Sequence, residues 1–533
     1  MAKPRQTAAS LHGMDNDRTG PVSVQEHATV AFKGLKNVEC RTFHSLAYCV
    51  GGQYRHKSSW AVKTYDVSRW VEPPERWPLE RNKRGEPKKE DLFLFSKYVL
   101  QTLESFLASE DQEIDLDHLP ICSSSDIRSP VEKYQQAVIS EARKVWDRMK
   151  NRDDRKVGMT HDGYLKLYQL QKPTLNYGCL LVDESQDLTP AIISILLNQS
   201  CPKVMVGDPH QQIYSFKGAC NAFTSVLATR TYCLSESFRF GPEIAYVASC
   251  LLDVLKRVRR STIVGGLQPG GVEGVWEGQL AVIARTNAML FDSMVDLCNQ
   301  HDTYKFGFAG GIQGYEFDTY QAIYDLMVGK KPKHNFISKF STYDDLCYYA
   351  QRADDPALSG KLTVCERYND TLPYYLEKIT GMKCTDTRIA DVVFSTAHKS
   401  KGLEFDTVRL CDDFLNCLND EDIEDALPLD KISQDELNLL YVAVTRAKKQ
   451  LIMSPTLVRL LRRAKECFLY PTGVPTLSAE VNSCVRCKSP GFTGNLPIER
   501  ASSITLCDGS VMDSGLVCAC CTHDCHVDVF SLL

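Results

Sequence analysis

Short apolar runs that end in polar loops recur along the chain and define its predicted architecture. A strand of a parallel sheet is buried on both faces, so it reads as a continuous apolar run, and functional loops follow its carboxyl end. Such runs predict α/β domains built on parallel sheets. Four segments have this form: CLLVDES (179–185), KVMVGD (203–208), QLAVIART (279–286) and VVFSTAH (392–398).

Segments with the periodicity of amphipathic helices lie elsewhere along the chain. Apolar residues at three-to-four spacing predict long helices in DLFLFSKYVLQTLESFL (91–107) and in EKYQQAVISEARKVWDRMKNRDDRK (132–156). VECRTFHSLAY (38–48) reads as a strand that runs into a helix, and DELNLLYVAVTRAKKQL (435–451) reads as a helix that leads into a strand.

The composition changes near both ends of the chain. Residues 1–22 are polar and lack periodicity, so we expect them to be disordered. From residue 475 to residue 533 Ser, Gly, Pro and Cys dominate, which marks a separate tail. The pattern between them predicts two sheet domains, each with a helical insertion: 23–230 with an insertion at about 60–160, and 231–470 with an insertion at about 305–390.

Charge and cysteine content constrain the function only loosely. The formal net charge of −5 does not single out a nucleic-acid binder, but a binding groove needs only local positive charge. No segment approaches the length of apolar sequence that a membrane span requires, so we expect no membrane partner. The 22 cysteines lie mostly singly in apolar segments, which favours reduced thiols in the cytosol or nucleus.

Two acidic residues follow one of the apolar runs directly. LLVDESQD (180–187) is a Walker B pattern, in which a strand delivers a carboxylate to its carboxyl end. We expect Asp183 to hold Mg²⁺ and Glu184 to polarise the water that attacks the γ-phosphate of ATP. A surface loop is the alternative for two adjacent acids, and the motif VGDPHQQIYSFKGA (206–219) downstream weakens that alternative.

Motifs in a fixed order carry a family resemblance. They are LLVDESQD (180–187), VGDPHQQIYSFKGA (206–219), LSESFRFGPEI (234–244), STAHKSKGLEFDTV (395–408) and LNLLYVAVTRAKKQL (437–451). Their order and spacing resemble the motor of UvrD-like DNA helicases of superfamily 1. VECRTFHSLAY (38–48), THDGYLKLYQLQKP (160–173) and the Cys-rich tail make residues 23–533 most similar to the eukaryotic F-box DNA helicases. The resemblance implies two RecA-like motor domains with helical insertions.

The resemblance also assigns roles around the nucleotide. Arginine suits a phosphate contact because it stays charged and binds two phosphate oxygens at once. The residues expected there are Gln211 as the sensor of the γ-phosphate, Arg239 and Arg446 on the phosphates, Glu404 on the ribose, and Lys401 and Gly402 in the nucleotide pocket.

Another set of residues is expected along single-stranded DNA. Tyr214 and Phe216 match aromatic positions that stack on bases, and each stacked base contributes roughly 1–3 kcal/mol. The alternative is that both rings belong to a hydrophobic core. The full set that the resemblance implies is Thr42, Phe43, His44, Tyr214, Phe216, Thr396 and His398.

The phosphate-binding pattern G-x-x-x-x-G-K-[ST] occurs nowhere in the sequence. In P-loop motors its amides, lysine and hydroxyl hold the phosphates and Mg²⁺. We therefore expect impaired ATP hydrolysis, in a product that is truncated or alternatively started. The strand before the P-loop would also be missing, which would leave the first sheet open at an edge. No F-box region is recognised in the chain, so binding to a ubiquitin-ligase adaptor is not expected.

The tail contains two C-x₂-C pairs, Cys484 with Cys487 and Cys518 with Cys521. Four thiolates at such spacing can surround zinc tetrahedrally, so we expect a small zinc-ribbon-like tail with a structural metal. The alternative is a Cys-rich tail without a metal.

The resemblance implies a monomeric nuclear enzyme that uses ATP and Mg²⁺ and moves 3′ to 5′ on single-stranded DNA. Its substrates would be forked DNA or duplex DNA with a 3′ tail, in DNA repair and in the control of homologous recombination at replication forks. Two alternatives remain for this chain. One is a non-catalytic fragment that binds single-stranded DNA or a partner, and the other is an adaptor that works through the insertion and the tail.

Overall fold

The computed structural model divides the chain into two compact units. Unit 1 comprises Met1–Thr229 and Glu316–Pro373, and unit 2 comprises Arg230–Tyr315 and Tyr374–Leu533. The residues that the structure describes are 8–12, 29–57, 62–74, 89–120, 130–258, 263–268, 270–272, 278–415, 432–463, 504–506, 511–512 and 525–526.

The strands form two parallel sheets and smaller pieces. In chain order they are β1 (Ala8–His12), β2 (Val38–Thr42), β3 (Cys179–Val182), β4 (Lys203–Met205), β5 (Glu236–Ser237), β6 (Val264–Gly265), β7 (Leu280–Ala284), β8 (Phe306–Phe308), β9 (Val392–Thr396), β10 (Phe405–Leu410), β11 (Ala447–Ile452), β12 (Ile504–Leu506), β13 (Val511–Met512) and β14 (Cys525–His526).

The α-helices surround these sheets. In chain order they are α1 (Phe43–Gly51), α2 (Thr64–Val67), α3 (Lys89–Ala108), α4 (Pro130–Lys150), α5 (His161–Leu170), α6 (Pro190–Leu197), α7 (Ala222–Ser225), α8 (Pro242–Lys256), α9 (Asn287–Gln300), α10 (Phe317–Met327), α11 (Tyr343–Arg352), α12 (Pro356–Tyr368), α13 (Leu372–Gly381), α14 (Ala397–Ser400), α15 (Gln434–Val444) and α16 (Pro455–Arg463).

Short 3₁₀ helices connect several of these elements. They are Gly52–Lys57, Leu116–His118, Ser185–Asp187, Pro209–Gln211, Ser215–Lys217, Ile312–Tyr315, Ile337–Lys339, Asn369–Thr371 and Thr387–Ile389.

The sheet of unit 1 has the order β2-β1-β3-β4, and its pairings are parallel. β3 lies between β1 and β4, so its carboxyl end delivers the acidic residues to the middle of the sheet. The strand β4 departs from the expectation of a fully buried strand. It lies at the edge of this sheet, and Val204 on it is 49% exposed.

The strand β1 corrects the expectation that residues 1–22 are disordered. Ala8–His12 pairs in parallel register with β2 on one side and with β3 on the other. Its sequence, AASLH, has one large apolar residue and no clear alternation, so the pattern alone does not identify it as a strand. Residues 1–7 and 13–22 lie outside the described residues.

Helices α1 and α5 pack closely against each other over this sheet. Thr42 begins α1, and its side chain accepts a hydrogen bond from the amide of Ser45 at 3.1 Å. Gly51 ends α1 where a side chain would not fit, because a Cβ there would lie 2.8 Å from Cγ of Tyr164 on α5. This contact at the end of α1, together with the contact of His44 with Asp162 at the start of α1, holds the N-terminal part of α5 against α1.

The second helical segment groups with unit 1 rather than with unit 2. Residues 305–390 were expected to be an insertion in the second domain without strands, but β8 begins that segment and residues 316–373 belong to unit 1. On α3, Phe93 contacts the rings of Phe336 and Phe340 with both centroid distances at 5.7 Å. Contacts between side chains distant in sequence therefore decide which unit the segment joins.

Unit 2 is built on a parallel sheet with the order β11-β10-β7-β9-β8. The central strand β7, LAVIA, is buried at all five positions, as its apolar run predicts. A small parallel pair, β5 with β6, and an antiparallel sheet of the order β13-β12-β14 complete the described strands. The two parallel sheets with their helices confirm the predicted α/β fold class.

Within the described residues, no helix has the length and apolarity that crossing a membrane requires.

A buried lysine in unit 1 makes stability depend on pH. Lys166 on α5 is fully buried, and its ammonium donates a hydrogen bond to the carbonyl of Ser109 at 2.8 Å. Desolvation lowers the pKa of Lys166 to about 8, although Asp111 and Glu110 favour its charged form. Between pH 8 and 10.5 the unfolded chain therefore holds a proton that the folded chain has released.

We predict that the free energy of unfolding rises with pH in this window. Between pH 7.5 and 9.5 the wild-type chain should gain about 1–2 kcal/mol relative to Lys166→Met, since the variant has no such proton to release. Urea unfolding of both proteins at the two pH values measures this difference. An equal response of the two proteins to pH would contradict the assignment.

Candidate functional site

A network of acidic and amide side chains joins the ends of β3 and β4. Glu184 adopts a left-handed backbone conformation, with φ of 53°, and its amide donates to Oδ1 of Asp183 at 2.9 Å. Nε2 of Gln186 donates to Oε2 of Glu184 at 2.5 Å. Oε1 of Gln186 accepts from the amide of Asp208 at 3.1 Å, and Nε2 of Gln211 donates to Oδ2 of Asp208 at 2.9 Å. We call these five residues the acidic network.

Gln186 is the residue through which the acidic network is connected. It is 1% exposed, and its amide group binds one strand end with its nitrogen and the other with its oxygen. Gly207 makes this possible, because a Cβ there would lie 2.1 Å from Oε1 of Gln186. The motif match did not assign a role to Gln186 or Asp208. The signal for Asp208 in the sequence is its position directly after Gly207 at the end of an apolar run.

The acidic network has the chemistry of a magnesium site. Mg²⁺ takes oxygen ligands and is held by one or two carboxylates together with waters and phosphate oxygens. Asp183 and Glu184 place two carboxylates at the end of β3, and Asp208 places a third at the end of β4. The described residues bring no three such side chains together as a metal site, so Mg²⁺ would be held by one or two carboxylates with waters and phosphate oxygens, with Asp183 as the expected ligand and Glu184 beside it.

Exposed aromatic rings follow the acidic network along the chain. The ring centroids of Tyr214 and Phe216 lie 6.2 Å apart, and Phe216 is 67% exposed. The ammonium of Lys217 lies 5.4 Å from the ring centroid of Tyr214 and 5.9 Å from that of Phe216. We call these two rings the aromatic platform. The exposure of Phe216 argues against the alternative that its ring is a core residue.

The structure buries two of the residues that were expected to contact single-stranded DNA. Phe43 is 2% exposed within the core of unit 1, and His44 is 6% exposed. The hydroxyl of Thr42 serves as the helix cap. Helix α1 turns its apolar face inward, so these rings are not accessible for base stacking in this structure. A motif match identifies residue types, but it does not report which side chains a helix buries.

His44 instead contacts a carboxylate on α5. Its Nε2 lies 3.1 Å from Oδ1 of Asp162, whose side chain is 54% exposed. On the same helix, Nδ1 of His161 lies 2.6 Å from the hydroxyl oxygen of Tyr164. Desolvation raises the pKa of Asp162, but the hydrogen bond with His44 and the nearby Lys217 bring it below its ordinary value overall. Asp162 is therefore a carboxylate at neutral pH.

In unit 2, two residues expected around the nucleotide contact each other. Nε of Arg239 lies 3.3 Å from Oε2 of Glu404, and Nη1 of Arg239 donates to the carbonyl of Thr445 at 3.2 Å. Lys448 adds a further positive charge 3.8 Å from Oε1 of Glu404. This cluster combines a guanidinium that can bind phosphate with a carboxylate that can accept ribose hydroxyls.

Arg446 differs most from its expected position. It was expected on the phosphates, but it is 1% exposed and its donors face the protein. Its Nε donates to the carbonyl of Val442 at 2.9 Å, and its Nη1 donates to the carbonyl of Leu403 at 3.2 Å. In this structure Arg446 therefore positions the backbone beside Glu404 rather than presenting its guanidinium to a ligand.

The remaining expected residues lie around α14 of unit 2. The side chain of Thr396 caps this helix by accepting from the amide of Lys399 at 3.3 Å, and Thr396 is 8% exposed. His398 and Lys401 are half-buried. Gly402 has φ of 79°, a left-handed conformation that favours glycine, and it turns the chain toward Glu404. These positions are compatible with a backbone approach to a ligand, but a DNA contact stays a prediction.

The four cysteines predicted to bind zinc, Cys484, Cys487, Cys518 and Cys521, lie outside the described residues. Among the residues that the structure does describe, no cluster of three or more His, Cys, Asp or Glu side chains could hold a metal ion.

Two parallel α/β units, with carboxylates at the end of a strand in unit 1 and an arginine–carboxylate cluster in unit 2, are the arrangement that the resemblance to UvrD-like motors implies. Sequence comparison identifies the family. Residues 14–228 match the profile of the UvrD/REP helicase N-terminal domain, and residues 367–457 match that of the UvrD-like helicase C-terminal domain. The chain belongs to the UvrD-like helicases.

The chain is also similar to two curated proteins. It is 38% identical over 504 residues to F-box DNA helicase 1 of Gallus gallus, an alignment that covers 89% of this chain and 48% of that protein. It is 27% identical over 459 residues to F-box DNA helicase protein 1 of Schizosaccharomyces pombe, covering 81% of this chain and 51% of that protein. The chain thus spans about half the length of the curated relatives it matches.

The burial of Arg446 leads to a stability prediction. Lysine at this position keeps the charge but cannot donate from the same three nitrogens, so buried carbonyls lose their partners. Arg446→Lys should lower the free energy of unfolding by about 2 kcal/mol or more. Thermal unfolding measures the change. The control is Arg388→Lys, since that side chain is 87% exposed. Unchanged stability of Arg446→Lys would mean that the arginine does not have this positioning role.

Proposed function

We propose that this chain binds single-stranded DNA on the aromatic platform of unit 1 as part of an ATP-dependent helicase mechanism. The observation that carries the proposal is the exposed ring of Phe216 next to Tyr214 and Lys217, in the segment that directly follows the acidic network. Aromatic rings stack on any base, and a neighbouring ammonium attracts the phosphate backbone. Membership of the UvrD-like helicases supports DNA as the ligand.

We further propose that ATP hydrolysis by this chain is impaired. Asp183 and Glu184 supply the carboxylates expected to hold Mg²⁺ and to polarise the attacking water. The sequence contains no G-x-x-x-x-G-K-[ST] pattern, so the amides and lysine that usually hold the β- and γ-phosphates have no counterpart in it. We therefore expect the chain to bind single-stranded DNA but to hydrolyse ATP slowly or not at all.

For the whole protein we propose 3′-to-5′ movement on single-stranded DNA and action on forked or 3′-tailed duplexes in the nucleus. Both curated relatives are named F-box DNA helicases, which supports the DNA-unwinding part of this proposal. Control of homologous recombination, a monomeric state and a structural zinc in the tail are further expectations from the same resemblance.

We predict that Tyr214→Ala combined with Phe216→Ala weakens single-stranded DNA binding at least about tenfold, because two stacking contacts are lost. Fluorescence anisotropy with a labelled oligonucleotide measures the affinity in the absence of nucleotide. The control is Phe223→Ala, which removes another partly exposed ring of unit 1. If the double variant and the control bind equally well, the aromatic platform is not the binding surface.

A further inference from the structure

Two carboxylates border the aromatic platform, and the helicase motifs assign a role to neither. Glu104 lies on the exposed face of α3, and Asp162 lies in the first turn of α5. Both helices pack against each other, and α3 also contacts the segment Ser215–Lys217 of the platform. The two acids therefore belong to the same surface as the rings.

The backbone at Gly218 determines how close these groups are. A Cβ built on Gly218 would lie 2.6 Å from Cβ of Ala108 at the end of α3, so the platform loop lies directly on this helix. Glu104 precedes Ala108 by four residues, which places it one helical turn away on the same side of α3. Lys217, adjacent to Gly218, consequently lies near Glu104.

Electrostatic coupling is consistent with this arrangement. Although Glu104 is exposed, partial desolvation by the surrounding protein and the negative charge of Asp162 raise its pKa to about 7, and Lys217 opposes them. Lys217 also lowers the pKa of Asp162. His44 and His161 are the other charged or titratable groups that act on Asp162, from α1 and α5 respectively. One lysine thus interacts with both carboxylates while its ammonium remains close to both rings.

We propose that Glu104 and Asp162 form an acceptor edge beside the aromatic platform, which favours cytosine over thymine in the single-stranded DNA that stacks there. This inference rests on the proposed function of the platform. Cytosine presents its N4 amino group as a donor where thymine presents its O4 oxygen as an acceptor. A carboxylate accepts a hydrogen bond from the N4 amino group of cytosine, whereas the one ring donor of thymine, N3–H, lies between O2 and O4, which both repel the carboxylate. The two pyrimidines have rings of similar size, so we assign the preference to the carboxylates, and the variants below separate their effect from that of stacking.

His44 supports this role by holding Asp162 in place. The imidazole is buried and lies 3.1 Å from Oδ1, so it fixes one carboxylate oxygen of Asp162. The side chain of Asp162 remains 54% exposed, which keeps the carboxylate accessible to a base. His44 is therefore a positioning residue, and this contact gives a buried residue of the motif TFHS a function at the DNA surface.

The test compares two labelled oligonucleotides that differ only in a central run of cytosines or thymines. Anisotropy titrations are made with the full chain at pH 8, where Glu104 and Asp162 are both ionised. We expect the wild-type chain to bind the cytosine oligonucleotide at least about threefold more tightly, in line with a carboxylate that accepts from the N4 amino group. Equal affinities for the two oligonucleotides would overturn the proposal.

Variants connect the preference to these side chains. Glu104→Gln, and Glu104→Gln combined with Asp162→Asn, should reduce the preference for the cytosine oligonucleotide to less than about 1.5-fold. The main cause should be tighter binding of the thymine oligonucleotide, because an amide can donate a hydrogen bond to O4. Glu377→Gln makes the same charge change at an exposed position of unit 2 and should preserve the preference. Glu104→Gln alone remains a valid test if Asp162→Asn fails to fold. A preference that persists in Glu104→Gln and in the folded double variant would assign the selection to other residues and overturn the proposal.

The outcomes for the platform and for the acceptor edge are distinguishable. Loss of binding to both oligonucleotides in Tyr214→Ala with Phe216→Ala, together with equal wild-type affinities, would retain the platform and reject the acceptor edge. If the wild-type chain binds neither oligonucleotide, both proposals are rejected.

Discussion

The buried amide of Gln186 connects the ends of two neighbouring parallel strands, and the acidic network depends on this bridge. Its nitrogen binds the carboxylate of Glu184 after β3, and its oxygen binds the amide of Asp208 after β4. A buried amide with both ends satisfied stabilises one orientation, because any rotation would leave a polar atom without a partner. Gly207 allows the approach. The positions of the carboxylates thus follow from strand geometry together with one side chain.

The aromatic platform and the acidic network lie on one continuous stretch of chain in unit 1. Gln211 donates a hydrogen bond to Asp208, and the half-buried Tyr214, the exposed Phe216 and the adjacent Lys217 follow within six residues. Unit 2 has a different organisation, in which Arg446 is buried and supports the backbone next to Glu404. In unit 1 the ring of Phe216 is exposed, whereas in unit 2 the guanidinium of Arg446 is buried.

Much of the fold could be predicted from the sequence, because β3, β7 and β9 are apolar runs of strand length with polar residues at their ends. The strand β1 could not, since its sequence has too few apolar residues and depends on pairing with both neighbours. Of the candidate site, motif spacing predicted acids directly after β3 and aromatic residues after β4, and their roles stay predictions. It could not report the burial of Phe43 or Arg446, because helix orientation and tertiary packing decide which side chains face a ligand.

We propose that the acidic network serves ATP chemistry, whereas the sequence contains no P-loop pattern that would complete the nucleotide site. The most direct test is ATP hydrolysis by the purified chain with saturating single-stranded DNA, with Glu184→Gln as the control for contaminating enzymes. We predict that the wild-type rate does not exceed that of the variant, while the chain still binds the DNA. A DNA-stimulated rate that Glu184→Gln abolishes would contradict the account, because other residues of this chain would then hold the phosphates.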